Sequence, residues 1–216
     1  MITIAFFFLL RPGEYTGTWQ DQPFCLADVE FTTGNVCVKG PMLLTHPAEH
    51  LLHSAGVSLT FTNQKNGVQG EVIHHGPSGS LLACPVRAVA RQVIHLRAQT
   101  ADLSTALGSY FHHHRCHPVR AADIMDTLCT ATRQIGNQLG LSPNNVSVRS
   151  MRTGGAMALL NSNVDSTLIK LLGRWRSDEM MRYLHLQAQP VMNQFAQRML
   201  VGGEYTVHPG ITVPLT

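Results

Sequence analysis

The sequence predicts an α+β fold in which a small antiparallel sheet in the N-terminal half precedes a mostly helical C-terminal half. Before residue 85, short segments separated by turn residues alternate apolar and polar side chains, as half-buried strands do. From Pro85 onward, apolar side chains recur at every third or fourth position, which is the spacing of one helix face. With 216 residues, 44% of them hydrophobic, the chain can form one domain with a substantial core.

The N-terminal half is predicted to contain one helix and two hairpins. Residues 2–10 form an apolar run that predicts a core helix, and the Pro12-Gly13 pair ends it. The segment DVEFTTGNVCV alternates on both sides of a Thr-Gly-Asn turn and predicts the first hairpin. In GVSLTFTNQKNGVQGEVIHH, the Asn-Gly pair is a strong turn signal, so a second hairpin is expected with Lys65 at or near its tip.

The C-terminal half is predicted to be a series of helices. The first begins at Pro85, and the next begins at Pro118 and ends at Gly140, because proline starts helices well and glycine ends them well. Further helices are expected over residues 150–160 and 165–172, and from residues 177 and 190 onward. The spacing identifies the inward-facing side chains of these helices: Val86, Val89, Val93, Leu96, Ile124, Leu128, Ile135, Leu139, Val191, Phe195 and Leu200.

Composition excludes a disordered chain and says little about the partner. Charged residues make up only 13% of the chain, which is too few for a disordered, self-repelling polymer. The formal net charge of +3 is weak support for a polyanionic partner. Only Lys39, Lys65 and Lys170 among the 16 basic residues are lysines, and the guanidinium of arginine matches phosphate oxygens well. A general coding preference for arginine explains that composition equally well.

The cysteines and histidines do not form a disulfide or metal pattern. The chain has five cysteines and no C-x-x-C pair, which argues for a reducing compartment and hence a nuclear or cytoplasmic protein. The run His112–His114 and His117 beside Cys116 lack a second ligand cluster, so we expect solvated loop histidines, no metal and no cofactor. The apolar start has no basic segment or cleavage site and is too short for a bilayer, so no membrane partner is expected.

Two arginines in SVRSMRTGGAMALL are the first candidates for chemistry. Arg149 and Arg152 lie three residues apart, which places them on one face of the expected helix. Like charges this close repel each other unless an anion lies between them. The following Gly154 and Gly155 would let another backbone, or a phosphate backbone, approach closely. The alternative is a pair of solvated surface arginines.

Arg11 and Tyr183 are further candidates. Arg11 follows an apolar run directly, and because burying an unpaired charge is costly, Glu14 is expected to hold its guanidinium. A local Arg11–Glu14 pair that only ends the helix is equally compatible with the sequence. Tyr183, nine residues after Arg174, is either a packed core side chain with a tethered hydroxyl or a nucleophile held next to guanidinium groups.

These residues form a pattern along the chain. It consists of an Arg followed by x-x-Glu, a Lys on a hairpin, an Arg-x-x-Arg beside small residues, a Leu-Gly-Arg-Trp and a later Tyr. From about Leu9 to Leu186 the pattern resembles the catalytic domain of tyrosine recombinases, the phage-integrase family. It is similar in particular to the integrases of eukaryotic Crypton-like mobile elements, where QKNGVQGE, RTGGA and LGRW have counterparts.

The resemblance implies a fold, a reaction and residue roles. The fold is a mostly helical catalytic domain of the DNA breaking-rejoining type, which acts on double-stranded DNA as a tetramer. Arg11 and Arg152 would clamp the non-bridging oxygens of the scissile phosphate, and Lys65 would protonate the leaving 5′-oxygen. Tyr183 would be the nucleophile of a site-specific recombinase or integrase, forming a 3′-phosphotyrosyl link that a free 5′-hydroxyl later reverses. Such chemistry needs no metal and no cofactor.

Two positions depart from the family pattern. Arg149 stands where the family commonly has a histidine, and arginine is a poor proton acceptor because it stays charged. Arg174 stands at the histidine position of the family's Leu-Gly-His motif, with Trp175 beside it, and the resemblance leaves open which of these two contacts the phosphate. Glu14 is assigned a supporting role, as is His185, which matches a frequent Tyr-x-His of the family.

The resemblance also implies a domain organisation. Residues 1–201 would be the catalytic domain, and residues 202–216 would be a C-terminal tail. Nothing corresponds to the family's N-terminal core-binding domain, so we expect a chain truncated upstream that binds DNA weakly on its own. The helix expected from Pro190 would either pack on its own core or dock on a neighbouring subunit.

Two alternatives stay open at the level of sequence. The first is a catalytically decayed or domesticated relative that acts as a DNA-binding or interaction module, motivated by the departures at Arg149 and Arg174. The second is a non-DNA α+β protein whose arginines bind a small phosphorylated ligand. A DNA reader needs a long basic face, whereas a small ligand needs only a pocket.

Overall fold

The computed structural model describes residues 1–17, 24–62, 70–99 and 101–175. Over these ranges the chain has eight α-helices, a four-stranded antiparallel sheet and a separate two-stranded hairpin, which confirms the predicted α+β class. The helices are α1 (Ile2–Phe7), α2 (Pro12–Tyr15), α3 (Pro41–Thr45), α4 (Ala48–Leu52), α5 (Pro85–Arg97), α6 (Ala121–Leu139), α7 (Ser150–Asn161) and α8 (Ser166–Leu172). The strands are β1 (Val29–Thr33), β2 (Val36–Lys39), β3 (Gly56–Phe61), β4 (Glu71–His75), β5 (Ser109–His112) and β6 (Arg115–Pro118).

The sheet is built from the two hairpins that the alternating segments predict. Its strand order is β2-β1-β3-β4, and every neighbouring pair is antiparallel. The β1–β2 turn contains Gly34 at a φ of +59°, a left-handed conformation that glycine adopts without strain. In the β3–β4 hairpin Leu59 pairs with Ile73, and the tip at residues 63–69, which includes Lys65, lies outside the described residues.

The helix α5 is central to the core. Its predicted inward face is confirmed, because Val86, Val89, Val93 and Leu96 are all buried. The helix lies against α1, α4 and β3, so this face joins the sheet to the N-terminal helix. Burying an aliphatic side chain of this size contributes about 2 kcal/mol, and these four positions therefore fix the orientation of α5.

The segment between α5 and α6 differs from the helical prediction. Residues 109–118 form the β5–β6 hairpin, and Pro118 is the last residue of β6, so the predicted helix start at Pro118 is wrong. The helix α6 begins instead at Ala121. The Asp123 carboxylate accepts hydrogen bonds from the Arg120 backbone N–H at 2.9 Å and from its Nη2 at 2.8 Å. This local cap fixes the helix start more strongly than the preference of proline for a first turn.

The predicted apolar face of α6 is buried only in part. Ile124 is buried and Leu128 packs against the core, whereas Ile135 is 51% exposed and Leu139 is 62% exposed. The helix ends at Gly140 as predicted, with a φ of +66° that suits glycine at this position. Periodicity therefore identifies the apolar stripe of α6 correctly, but within the described part of the chain only the N-terminal part of this stripe packs against other residues of the core.

The last two described helices, α7 and α8, agree with the sequence. The Asp165 carboxylate accepts a hydrogen bond from the Thr167 N–H at 2.8 Å and caps the start of α8. The two helices form a small second cluster around Ala156 and Ile169. The helices and the tail expected beyond residue 176 lie outside the described residues. No helix in the described part of the chain combines the length and the apolar composition that a bilayer span requires.

Candidate functional site

The end of α1 supplies main-chain carbonyls that act as hydrogen-bond acceptors in the candidate site. Leu9 has a φ of +48°, a left-handed conformation that usually requires glycine. The Leu10 N–H donates to the Ala5 carbonyl at 3.0 Å, and the Leu9 N–H donates to the Phe6 carbonyl at 3.4 Å. This is the bonding pattern of a helix that ends in a left-handed residue. The chain therefore turns sharply, and the next carbonyls, of Phe8 and Leu9, need donors from elsewhere.

Arg152 of α7 supplies one of these donors. Its Nη1 donates to the Leu9 carbonyl at 2.6 Å, and its Nη2 donates to the carbonyl of Gly173, just after α8. Only 8% of the residue is exposed, and its Cζ lies 4.1 Å from the centroid of the Trp175 ring. One guanidinium thus joins α1, α7 and the end of α8 through charge-assisted hydrogen bonds.

Arg174 donates to the same carbonyl. Its side chain is only 1% exposed, and its Nη2 donates to a Glu14 carboxylate oxygen at 2.8 Å and to the Leu9 carbonyl at 3.4 Å. Its Nη1 donates to the Phe8 carbonyl at 3.2 Å. The Cζ lies 3.6 Å from the centroid of the Phe61 ring, within the range of a cation–π contact. Arg174 is therefore enclosed by α1, Glu14 and the last residue of β3.

Burial dominates the electrostatics of Arg174. It lowers the pKa of the guanidinium to about 10, while the Glu14 and Glu71 carboxylates raise this pKa and the charge of Arg11 lowers it. The Nε is buried and has no hydrogen-bond partner among the described residues. Because a charge removed from water needs compensation, the buried guanidinium depends on its ion pair with Glu14.

Glu14 connects Arg174 to Arg11. Its Oε2 accepts a hydrogen bond from the Arg11 backbone N–H at 2.6 Å, and its Oε1 accepts one from Arg11 Nη1 at 3.1 Å. Arg11 Nη2 donates in turn to the Arg174 carbonyl at 3.2 Å. The Arg11 side chain keeps 25% of its surface exposed, so it is open to solvent where Arg174 is not. We call the set Arg11, Glu14, Arg152, Arg174 and Trp175 the arginine junction.

Trp175 completes the arginine junction. It is half-buried, and its backbone N–H donates to the Lys170 carbonyl at 3.0 Å. A Cβ at Gly173 would overlap the Trp175 ring, so the Leu-Gly-Arg-Trp segment needs glycine at that place. Arg174 has a φ of +57°, a left-handed backbone conformation. The side chains of Arg174 and Trp175 contact different partners. Arg174 points toward Phe61, whereas Trp175 stacks on Arg152.

The small residues after Arg152 admit another backbone, as the sequence predicts. That backbone belongs to α1. A Cβ at Gly155 would overlap the Phe6 carbonyl oxygen and lie 2.5 Å from Leu9 Cδ2. At Gly154 the nearest atom to an added Cβ is Phe6 Cε2, at the ordinary contact distance of 3.6 Å. The close approach at Gly155 brings Arg152 within reach of the end of α1.

Arg149 and Arg152 occupy different environments although they are near in sequence. The helix α7 begins at Ser150, so Arg149 is its N-cap residue and lies exposed at the surface. Arg152 is buried in the arginine junction. The expected pair on one helix face therefore consists of one surface cation and one interior cation.

The structure brings together the five residues of the arginine junction and leaves Arg149 at the surface. The other sequence candidates, Lys65, Tyr183 and His185, lie outside the described residues. Sequence reasoning did not identify Leu9 and Phe61 as parts of the site, because neither carries a polar side chain. Only the left-handed φ of Leu9 and the ring of Phe61 beside Arg174 reveal their roles.

The histidines that the sequence raises as possible metal ligands, His112–His114 and His117, lie on the β5–β6 hairpin and not in the arginine junction. His113 and His114 form its turn, whereas His112 and His117 belong to β5 and β6 and correct the expectation of loop residues. Among the described residues, no group of three or more His, Cys, Asp or Glu side chains is arranged to hold a metal ion. A cavity of about 390 Å³ between α1, α5, β5 and α6 is likewise lined by none of the junction residues.

Comparisons with known proteins give no relationship for this chain. A comparison with models of protein families found no match, and searches of curated proteins and of solved structures found no significant match. A functional assignment must therefore come from the residues and their geometry.

Proposed function

We propose that this chain is a tyrosine recombinase catalytic domain that breaks and rejoins double-stranded DNA through a 3′-phosphotyrosyl intermediate. The observation that carries the proposal is the convergence of Arg11 and Arg152 from distant parts of the chain. Their guanidiniums donate to the adjacent carbonyls of Arg174 and Gly173, respectively. These are the two arginines that the family resemblance assigns to the scissile phosphate, so their proximity supports the assignment.

The charges of the arginine junction favour an anion. Arg11, Arg152 and Arg174 bring three guanidiniums together, and Glu14 is the carboxylate in direct contact with two of them. Phosphoryl transfer places charge on the equatorial oxygens of the phosphate, and fixed guanidiniums stabilise that charge without reorganising. Arg11, the most open to solvent of the three, is the guanidinium that an incoming DNA phosphate would meet first.

The chemical step follows from the resemblance. The Tyr183 oxygen would attack the phosphorus, the bond to the 5′-oxygen would break, and Lys65 would donate a proton to the leaving oxygen. A phenol with an ordinary pKa of about 10 is a poor nucleophile at neutral pH, and nearby cations favour its ionised form. Because the phosphotyrosyl link conserves the energy of the phosphodiester, a free 5′-hydroxyl can reverse the reaction without a nucleotide cofactor.

A second candidate function is DNA binding by a domain that has lost its chemistry. The burial of Arg152 and Arg174 favours it, because their guanidiniums already donate to main-chain carbonyls and to Glu14. Arg149 favours it as well, since an arginine in place of the family's histidine cannot accept a proton. Such a module would bind duplex DNA and leave its phosphodiesters intact.

A nicked suicide substrate separates the two functions. Cleavage beside the nick releases a short oligonucleotide, so religation is blocked and the covalent complex accumulates. With a pool of nicked duplexes of varied sequence, we expect the wild-type chain to form an adduct that survives a denaturing gel. Tyr183→Phe should form none, although it still binds the duplex.

The other outcomes identify the alternatives. A decayed module would bind the labelled duplex but form no adduct with either variant. Binding of a nucleotide monophosphate, without binding of duplex DNA or heparin, would instead favour a protein for a small phosphorylated ligand.

A further inference from the structure

We propose that Arg174 is a positioning residue, which fixes the Glu14 carboxylate so that Glu14 orients Arg11 for the scissile phosphate. The inference rests on the proposed function and deepens it, because the family pattern leaves open whether Arg174 or Trp175 contacts the DNA. The geometry gives Arg174 a role inside the protein and leaves the half-buried Trp175 as the more accessible side chain of the two.

Arg174 is poorly placed to bind a DNA phosphate itself. Its side chain is 1% exposed, and both terminal nitrogens already donate to acceptors of the chain. A phosphate would have to displace the bonds to Phe8, Leu9 and Glu14, which compensate the buried charge. The remaining donor, Nε, is buried. The guanidinium is therefore committed to the protein interior.

Glu14 is held from both sides. Its Oε1 faces Arg11 Nη1 at 3.1 Å, and its Oε2 faces Arg174 Nη2 at 2.8 Å. A carboxylate bonded at both oxygens cannot rotate freely, so the Arg11 guanidinium meets an acceptor of fixed direction. Without the Arg174 side chain, Glu14 Oε2 would keep only its hydrogen bond from the Arg11 backbone N–H at 2.6 Å, and the orientation of the Arg11 guanidinium would loosen.

The Arg174 main chain also contacts Arg11, and this contact does not depend on the Arg174 side chain. The influence of the side chain on Arg11 can therefore be tested by mutation. Arg11 Nη2 donates to the Arg174 carbonyl, and a substitution at residue 174 keeps that carbonyl. Arg174→Met therefore keeps the main-chain contact and removes the route through Glu14, together with the donors to the Phe8 and Leu9 carbonyls. Arg174→Lys keeps the positive charge, but its single ammonium cannot reproduce the planar fork that reaches Glu14 and three carbonyls together.

Trp175 remains as the side chain of this segment that can face DNA. It is half-buried rather than enclosed, and it stacks on the guanidinium of Arg152. The glycine at 173 makes room for its ring. An indole supplies one N–H donor and considerable apolar surface, which suit a contact with a phosphate oxygen and the adjacent sugar.

The first test is a double-mutant cycle on adduct formation with the nicked substrate. Glu14→Gln and Arg174→Met should each slow adduct formation by about 10-fold or more, and the double variant by less than about 3-fold beyond the slower single variant. Residues that act as one unit show this lack of additivity. A double variant whose loss of rate equals the product of the two single losses would overturn the proposal, because Arg174 would then act on the DNA independently of Glu14.

A charge-neutral substrate distinguishes positioning from simple damage to the fold. A methylphosphonate at the scissile position lacks the charged oxygen that Arg11 would stabilise. On this substrate, correct orientation of Arg11 therefore gives the wild-type protein little advantage in the rate of adduct formation. On this substrate the loss caused by Arg174→Met should shrink to less than about 3-fold relative to wild type. A loss of equal size on both substrates would mean that the substitution only disturbs the fold, and would overturn the proposal.

A third measurement is independent of DNA cleavage. Phenylglyoxal modifies accessible guanidiniums, and mass spectrometry of peptides locates the modified residues. In the wild-type chain we expect Arg174 to be protected, and the modification rate of Arg11 should rise by about 3-fold or more in Glu14→Gln and in Arg174→Met. Arg149→Met, which removes an exposed arginine, should leave the Arg11 rate unchanged.

The outcomes distinguish the positioning role from the proposed function. An unchanged Arg11 rate in both Glu14→Gln and Arg174→Met would overturn the positioning role, whether or not an adduct forms. A raised Arg11 rate in a chain that never forms an adduct would support the positioning role and contradict only the recombinase function. If Arg174→Met does not fold, Arg174→Lys replaces it in every comparison, with the same direction of effect expected.

Discussion

The arginine junction and the β5–β6 hairpin are both rich in nitrogen-bearing side chains, yet the fold gives them opposite environments. In the junction, the guanidiniums donate to main-chain carbonyls and to Glu14 across as many as 166 positions of sequence. On the hairpin, the histidines 112–114 are consecutive and exposed, and the rings of the first two lie 4.0 Å apart. Convergence of distant residues, rather than local density of ionisable groups, therefore marks the candidate site.

The difference has a physical cause in the acceptors that each region offers. The left-handed end of α1 leaves the carbonyls of Phe8 and Leu9 without helical donors, and Arg152 and Arg174 satisfy them. The hairpin pairs its own backbone, so its histidines have no such role, and His112–His114 remain exposed to water. Substitutions should therefore have large effects in the junction and small effects on the hairpin.

The largest effect is expected at Arg152. Arg152→Ala removes two charge-assisted hydrogen bonds and the stacking on Trp175, and should lower the free energy of unfolding by about 2–4 kcal/mol. Arg149→Ala is the matched control on the same helix, and because Arg149 is exposed it should change this free energy by less than about 0.5 kcal/mol. Urea unfolding of both variants measures the contrast. Equal effects would remove the distinction between the two arginines.

The next effect concerns the contact between α1 and α7. Gly155→Ala forces a methyl group onto the Phe6 carbonyl oxygen and should lower the free energy of unfolding by about 1–3 kcal/mol. Gly154→Ala has room for its methyl group and should raise that free energy by about 0.5 kcal/mol, since alanine favours a helix more than glycine does. Thermal unfolding compares the two variants directly. A stable Gly155→Ala protein would contradict the close approach that carries Arg152 to Leu9.

A smaller and pH-dependent effect is expected at Tyr15, which anchors α2 beside the arginine junction. Its hydroxyl donates to the Val148 carbonyl at 2.7 Å, and burial raises the pKa of the phenol to about 12. Tyr15→Phe leaves that carbonyl without its donor, so at pH 9 it should lower the free energy of unfolding by about 1–2 kcal/mol. Tyr110→Phe, on the exposed hairpin strand β5, should change it by less than about 0.5 kcal/mol.

The pH dependence of the Tyr15 effect has a definite sign. The folded protein keeps the phenol protonated up to about pH 12, whereas the unfolded chain releases its proton near the ordinary phenol pKa of 10.0. The stabilising effect of Tyr15 is therefore fully present below pH 10 and is lost as the pH rises toward 12. The difference in the free energy of unfolding between wild type and Tyr15→Phe should become smaller between pH 9 and pH 11. A constant or growing difference would contradict burial of a protonated phenol.

The smallest effect is expected on the hairpin turn. His113 has a φ of +48°, which glycine adopts more easily than histidine. His113→Gly should therefore leave the free energy of unfolding within about 0.5 kcal/mol of wild type or raise it slightly, because relief of backbone strain offsets the added chain entropy. Adduct formation on the nicked substrate should be unchanged. A marked loss in either measurement would show that the hairpin carries a role comparable to that of the junction.

Local patterns in the sequence predict much of the fold. The three- and four-residue spacing identifies the buried face of α5, and the Thr-Gly-Asn turn identifies the β1–β2 hairpin. The same rules fail where a local signal is overruled. Pro118 ends a strand because the Arg120–Asp123 cap starts α6 later, and Ile135 is exposed although it continues an apolar stripe.

The candidate site is predictable in its residues but not in their environment. Their order along the chain singles out Arg11, Arg152 and Arg174, and the structure brings these side chains together. Their burial depends on the left-handed turn at Leu9 and on the contact at Gly155, which are long-range features that no spacing rule encodes. For that reason the helical spacing places Arg149 and Arg152 on one face, whereas only Arg152 enters the interior.

The central claim is that the arginine junction serves a tyrosine nucleophile, and the covalent complex tests it most directly. The wild-type chain is incubated with the nicked duplexes, the complex is digested with protease, and mass spectrometry identifies the peptide that carries the oligonucleotide. We predict a 3′-phosphate ester on Tyr183 whose yield falls sharply in Arg152→Ala but not in Arg149→Ala. An oligonucleotide on another residue, or an adduct that persists in Tyr183→Phe, would contradict the claim.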